Sequence, residues 1–328
     1  MTERVLVTGG TGFVGGYLVR RLLEEGREVR VVARHPGTWP TDGRPGPQLW
    51  LADVRDQRVL REAMQGVDVV LHLAACARAW ARDPRDFASI NVDAVRVLLA
   101  AASDAGVARV VHVSTILTMP PAIPAARPVP PTPYEITKRA GERLVEDWVG
   151  RGGHAVIVHP TRVYGPGPMT DANGVTRAVA AYLAGRLRVR IADGDVRANY
   201  VHADDVAAGI LLAARHGAAG MHYVLGDENA SFRELLGMVS RIGATTRRMV
   251  PLPPGLAYFV GHACEWWGRL GGQPSLTRGW IRSFMEDRSV DIGPTVRSLG
   301  YRPRGLGAGL EETIAWLRAE RGAAWSAA

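Results

Sequence analysis

The octapeptide Thr8-Gly9-Gly10-Thr11-Gly12-Phe13-Val14-Gly15 follows an apolar run, Arg4–Thr8, and opens a segment with helical periodicity. Few folds place glycines at this spacing between a strand and a helix. Gly9 would permit the tight turn, Gly12 would let the backbone approach a pyrophosphate, and Gly15 would let the helix pack closely on the strand. The phosphates would then meet free N–H groups at the helix N-terminus. A glycine pattern alone is weak evidence, but this one has the strand–turn–helix context it requires.

The rest of the chain repeats the same alternation. Arg4–Thr8, Glu28–Arg34, Val67–Ala75, Arg109–Ser114 and Ala155–Val158 read as buried parallel strands. Helical patterns lie between them, at about 12–25, 55–65, 84–105 and 134–150. Such βαβ repetition predicts an α/β fold, a doubly wound parallel sheet of the Rossmann type with a smaller C-terminal substrate-binding region. Residues 1–165 are expected to form the dinucleotide-binding domain, completed by about 196–226, and 166–195 with 227–328 the substrate-binding region. Further strands are expected at Arg186–Ala192, Asn199–His202 and 221–225, and helices near 203–216, 231–241, 254–272, 274–286 and 309–321. Met119–Pro133 holds seven prolines and predicts a stiff extended loop.

The charge balance, +8 with a sequence pI near 10.0, raises the question of nucleic acid. The arginines are scattered and no aromatic-interleaved basic stripe occurs, so no nucleic-acid partner is expected. Cys76 and Cys264 lie far apart and imply neither a disulfide framework nor a metal site, which makes a cytoplasmic location the default. The chain runs directly into its first strand, so no signal peptide is expected, and no apolar run reaches the length of a membrane span.

Of the 40 Lys and Arg residues, only Lys138 is a lysine, and it stands four residues after Tyr134. On a helix these side chains are neighbours, about 5–6 Å apart at Cβ. A compact ammonium there would favour phenolate and lower the tyrosine's pKa, a task for which a forked guanidinium is poorly shaped. Tyr134 so tuned would serve as a general acid and base. The second strand ends in Arg34, not in the acidic residue that would bind a ribose 2′-hydroxyl; Arg34 suits a 2′-phosphate, or would stack on adenine and serve either cofactor. Asp53, followed by Val54, would meet the adenine edge or act as an ordinary helix N-cap.

These pieces resemble the extended short-chain dehydrogenases/reductases, the epimerase/dehydratase-like group. The motifs are the glycine octapeptide, Ala52-Asp53-Val54, His72-Leu73-Ala74-Ala75, Asn91-Val92, Val113-Ser114-Thr115, the Tyr134/Lys138 pair, residues 159–166 (HPTRVYGP) and residues 200–206 (YVHADDV). The resemblance implies Thr115, Tyr134 and Lys138 as catalytic residues, with Thr115 polarising the substrate oxygen and Ser114 ending the strand. It implies cofactor contacts at Gly9, Thr11, Gly12, Phe13, Val14, Gly15, Arg34, Asp53, Val54, Leu73, Ala74, Ala75, Tyr134, Lys138, Pro160 and Val163, and no metal. Asn91 would have a relay or a helix-structural role. By analogy, a homodimer would form through the helices at about 84–105 and 134–150.

Departures from the family pattern narrow the reaction. Sugar dehydratases follow the catalytic Thr with an acidic pair; here Ile116 and Leu117 stand there and cannot do acid–base work. Nucleotide-sugar epimerases carry an arginine where this chain has Ala198, although Arg197 is adjacent and could compensate. The apolar segment Leu252–Leu270 is similar to the 3β-hydroxysteroid dehydrogenase-like and dihydroflavonol reductase-like branches, where it roofs a lipophilic pocket; packing on the body, a dimer face or a membrane-surface contact are alternatives. The expectation is an NAD(P)H-dependent oxidoreductase interconverting a ketone and a secondary alcohol on a lipophilic or aromatic small molecule. NADP(H) is favoured and NAD(H) possible. The alternative is a sugar or nucleotide-sugar epimerase that retains NAD.

Overall fold

The computed structural model describes all residues except 1–2, 40–42, 44, 79, 82, 125–129, 192–193, 270–276 and 322–328. The first half runs β1 (Arg4–Thr8), α1 (Phe13–Glu24), β2 (Glu28–Ala33), β3 (Gln48–Leu51), α2 (Gln57–Ala63), β4 (Val69–His72), α3 (Arg85–Ala88), α4 (Ala94–Asp104), β5 (Arg109–Val113), α5 (Pro133–Gly150) and β6 (Ala155–Pro160). The second runs β7 (Arg162–Tyr164), α6 (Gly174–Leu183), β8 (Val189–Ile191), β9 (Arg197–His202), α7 (Ala203–His216), β10 (His222–Leu225), β11 (Glu228–Ser231) and α8 (Phe232–Gly243). It ends with β12 (Val250–Leu252), α9 (Pro254–Arg269), α10 (Arg278–Ser283), α11 (Gly293–Leu299) and α12 (Leu306–Arg321).

Seven strands form a parallel sheet in the order β10-β6-β5-β4-β1-β2-β3. Side chains alternate across β1. Val5 and Val7 pack with Leu18, Leu22 and Ile210 under α1 and α7, while Leu6 joins Leu60, Leu98 and Val145 under α2, α4 and α5. Both faces are covered, which is why these strands read as unbroken apolar runs. Strand order reverses between β1 and β4, so a crevice opens at their carboxyl ends, where the glycine loop and residues 73–75 emerge. A third core, including Tyr164, Val179, Tyr200, Leu235 and Ile314, joins α6, α8 and α12 to the small sheet β11-β9-β7.

Several expectations shift. The strand expected over Val67–Ala75 ends at His72, because Ala74 N–H bonds the Thr8 hydroxyl (3.3 Å) and Cys76 N–H bonds Asn91 Oδ1 (2.8 Å), peeling the chain from the sheet. The helix expected over 84–105 contains a π-helical turn at Ser89–Asp93. There Asn91 also donates to Thr137 Oγ1 (3.0 Å) on α5. Of the later strands only β10 joins the main sheet; β9 pairs with β7 and β11, and β8 with β12. The expected helices 254–272 and 274–286 are observed as α9 and α10, and 270–276 lies outside the described residues, as do 125–129 of the proline-rich stretch. That stretch delivers Pro133 to the first turn of α5, where Thr132 and Glu135 form a capping box.

Candidate active site

One cleft, of about 570 Å³, opens along the carboxyl ends of the sheet. All the residues expected at the site line it: the glycine loop, Arg34, Asp53, Val54, Leu73–Ala75, Thr115, Tyr134, Lys138, Pro160 and Val163.

The glycine loop has the shape a dinucleotide needs. Gly9 is at φ +73°, and a Cβ there would lie 2.7 Å from Ala74 N. At Gly15 a Cβ would lie 2.1 Å from the Gly9 carbonyl oxygen and 2.8 Å from Gly10 Cα, so a side chain would push α1 off the loop. Gly12 caps α1 without a side-chain hydrogen bond, which leaves first-turn amides for an anion. The residues present therefore fit the pyrophosphate of a dinucleotide.

At the end of β2, Arg34 is exposed and reaches the cleft, and no carboxylate follows it in the sequence before Asp42. Asp53 does not cap α2; Asp56 does, accepting from Val59 N–H (3.2 Å). Asp53 instead accepts from Arg55 Nε (2.8 Å) and Nη2 (2.9 Å), and these bonds hold its carboxyl below the usual range.

Thr115, Tyr134 and Lys138 converge at the centre. The Thr115 hydroxyl lies close enough to the Tyr134 phenol to favour its ionised form, and it accepts from Leu117 N–H (3.3 Å). Ser114 also lines the cleft and donates to Glu142. Lys138 Nζ donates to the Val113 carbonyl (2.8 Å), and burial brings its pKa down to about 8. The expectation that Lys138 would lower the phenol's pKa needs correction for this state. Burial pushes Tyr134 up to about 12, and the nearby Thr115 hydroxyl offsets only part of that. Desolvation outweighs a neighbouring ammonium that itself releases its proton near pH 8.

Glu142 was not singled out from the sequence. It is fully buried and accepts from Ser114, Thr118 (2.6 Å) and Arg139 (2.7 Å). Burial acts to raise its pKa, but these bonds win and hold it below the usual range. It thereby fixes the turn on both sides of Thr115. The available signal was its spacing: Tyr134, Lys138 and Glu142 lie at successive i+4 positions on one face of α5. His159 supports the same turn, its Nδ1 lying 3.0 Å from the Thr115 carbonyl and its Nε2 2.9 Å from His222 Nδ1. Asn91 ties α5 to the loop after β4, a positional link between elements that both line the cleft.

Beyond the phenol the walls are mostly apolar, with Ile90, Ile116, Leu117, Val175, Phe232 and Phe284 among them. Phe232, Leu235, Phe284 and Arg288 come from distant parts of the chain, and no local motif marks them. Arg197 does not compensate for Ala198. It points outward to Glu234 Oε1 (3.4 Å) and the Asn229 carbonyl (2.6 Å), and it does not line the cleft. Among the described residues, α9 does not roof the cleft either: it packs behind the wall, Ala257 and Tyr258 meeting Ile191, Ile281 and Phe284.

Residues 5–226 match the model of the NAD dependent epimerase/dehydratase family. The chain is similar to a sterol demethylase protein B of Methylococcus capsulatus, 30% identical over 97% of this chain and 98% of that protein. It is also similar to a 4-hydroxy-2-methyl-3-oxo-4-farnesyl-3,4-dihydroquinoline-1-oxide ketoreductase of Stigmatella aurantiaca, 33% identical over 92% of each. Among solved structures, a dTDP-glucose 4,6-dehydratase of Streptomyces venezuelae with NAD bound superposes with a TM-score of 0.73 at 28% identity, covering 98% of both chains. A dinucleotide cradle at the switch point of a doubly wound sheet and a family match spanning that whole unit agree: this chain belongs to the NAD-dependent epimerase/dehydratase family and is an NAD(P)-dependent enzyme of the extended short-chain dehydrogenase/reductase type.

Proposed function

We propose that this enzyme interconverts a ketone and a secondary alcohol on a lipophilic small molecule, using NADP(H). The observation that carries the reading is the character of the cleft beyond Tyr134. Its walls are largely apolar, and of the four arginines that line it among the described residues, Arg34 and Arg78 are exposed while Arg162 and Arg288 are engaged within the protein. Arg162 bonds the Ser283 carbonyl and lies over the rings of Tyr200 and Phe284. Arg288 bonds Glu286 (2.6 Å) and the Met119 carbonyl (2.7 Å). With Arg162 and Arg288 engaged and Arg197 turned outward, the inner cleft offers a sugar diphosphate less grip than it offers an apolar ketone matching surface. The Stigmatella relative, named as a ketoreductase of a farnesylated dihydroquinoline oxide, supports the same reading.

A dinucleotide held by the glycine loop, Arg34 and Lys138 would supply the hydride chemistry at the carbonyl carbon. Tyr134, protonated up to about pH 12, donates its phenolic proton to the carbonyl oxygen as negative charge develops there. Thr115, whose hydroxyl lies near the phenol, would orient the same oxygen. Lys138 stands beside the phenol with its ammonium on the Val113 carbonyl, placed to bind a ribose hydroxyl and to stabilise phenolate after proton transfer. The apolar wall excludes water from this exchange. Arg34, with Asp53 already satisfied by Arg55, supports selection of a 2′-phosphate.

Incubating the purified enzyme with NADPH and a panel of lipophilic ketones should give stoichiometric loss of NADPH and formation of alcohol. A protein that keeps its nicotinamide through desalting and isomerises a sugar nucleotide without net cofactor turnover would replace this reading with the epimerase one.

A further inference from the structure

Helix α9 shows solvent the face that most helices hide. Leu256, Phe259, Val260, Trp266 and Trp267 are 37–71% exposed, and Ala263 is exposed with them. At helical spacing these six side chains fall on one face, while Ala257 and Tyr258 opposite pack against Ile191, Ile281 and Phe284. In its sixteen residues the helix carries two charges, Glu265 and Arg269. The patch continues onto the small sheet that leads into α9, where Val189 on β8 and Val250 on β12 are also exposed.

The surroundings are positive. Residues 235–264 contain three arginines (Arg241, Arg247, Arg248) and no Asp or Glu, and residues 184–191 contain three more (Arg186, Arg188, Arg190), again with no acid. Pairing of β8 with β12 brings the two segments together, and Arg186, Arg188 and Arg248 are exposed. A second copy fits poorly, because a two-fold contact through this face would set the exposed Arg186, Arg188 and Arg248 of one copy against the same arginines of the other. An anionic bilayer fits on every count. It takes an apolar helix face to the depth of the headgroup–acyl boundary, holds tryptophans at its interface, and attracts an arginine fringe to its phosphates. Among the described residues no helix is long and apolar enough to cross a membrane, so the contact lies along the surface.

We propose that α9 docks this enzyme on the surface of an anionic lipid bilayer, its apolar face in the interface and the arginines of the β8–β12 region against lipid phosphates. The inference goes beyond the ketone–alcohol reading and stands without it. The two meet at Phe284, which touches the underside of α9 and lines the cleft, so docking would set the substrate end of the cleft close to lipid.

The full-length protein should sediment with vesicles of phosphatidylcholine and phosphatidylglycerol, poorly with phosphatidylcholine alone, and less as salt is raised. Phe259→Ser combined with Trp266→Ser should weaken that binding about tenfold or more. Arg186→Gln with Arg188→Gln and Arg248→Gln should remove its salt dependence. All these side chains are exposed, so circular dichroism and NADPH affinity should match wild type, and loss of ketone turnover would leave this result untouched. The proposal is overturned if wild type ignores anionic vesicles. It is equally overturned if the α9 substitutions leave vesicle binding intact, or if they halve the protein's mass in light scattering while wild type binds no lipid, which would make the face a protein interface.

Discussion

Replacing Lys138 by methionine should change how stability depends on pH. Lys138 is 2% exposed, and burial lowers its pKa from 10.5 to about 8. The unfolded chain keeps the lysine proton until near pH 10.5, whereas the folded chain releases it near pH 8. In that window the unfolded state binds more protons, so stability rises with pH, by about 1.4 kcal/mol per pH unit. Below pH 8 the ammonium is charged in both states and the full desolvation penalty, roughly 3 kcal/mol across the window, stands against the fold. Methionine keeps much of the aliphatic stem and has nothing to titrate. Subtracting the variant from wild type therefore cancels the tyrosines and other groups that titrate at the alkaline end. Denaturant unfolding of both proteins without cofactor, at about pH 7.5 and about pH 9.5, should show wild type gaining about 2 kcal/mol on the variant. A difference that stays flat with pH, or shrinks, refutes the claim that burial holds this ammonium near its release point.

Gly15→Ala should leave the fold recognisable by circular dichroism but weaken NADPH binding about tenfold or more, since its Cβ would sit 2.1 Å from the Gly9 oxygen; calorimetric affinity within twofold of wild type would contradict the cradle. Arg34→Ala should lower the NADPH/NADH ratio of kcat/KM by about tenfold or more, and an unchanged ratio would show that Arg34 merely lies along the adenine. Glu142→Ala strands Ser114, Thr118 and Arg139 together, so a stability loss of about 2–4 kcal/mol is expected. Its kcat should fall by more than its KM for cofactor rises, and a variant as stable as wild type would remove Glu142 from the account.

The nucleotide half was legible because its signals are local. The glycine loop is constrained by backbone geometry that only glycine meets at Gly9 and Gly15, and strands buried on both faces advertise themselves as apolar runs. Thr115, Tyr134 and Lys138 were legible by resemblance and by spacing. What sequence alone misjudged was environment. The Tyr134 pKa depends on how much protein surrounds the phenol, which the i+4 spacing of Lys138 does not encode. The roles of Arg197 and Asp53 turned on one competing partner each, Glu234 and Arg55. The substrate walls come from residues scattered between 90 and 288, joined by tertiary packing that leaves no pattern in the chain. For α9 the resemblance implied a pocket roof, with packing on the body, a dimer face or a membrane-surface contact as alternatives; the helix packs on the body by one face and turns its other apolar face to solvent, a distinction of orientation that apolar content alone does not carry.

The most direct test of the central claim pairs wild type with Tyr134→Phe, following NADPH oxidation and alcohol formation with a lipophilic ketone that wild type accepts. Wild type should consume one nicotinamide per alcohol formed. The variant should bind NADPH with unchanged affinity and turn over about 10²–10⁴-fold more slowly, since the proton donor alone is lost. Turnover by the variant within about threefold of wild type, or conversion of substrate by wild type without net nicotinamide oxidation, would contradict the assignment of Tyr134 as the acid–base group of a ketone–alcohol oxidoreductase.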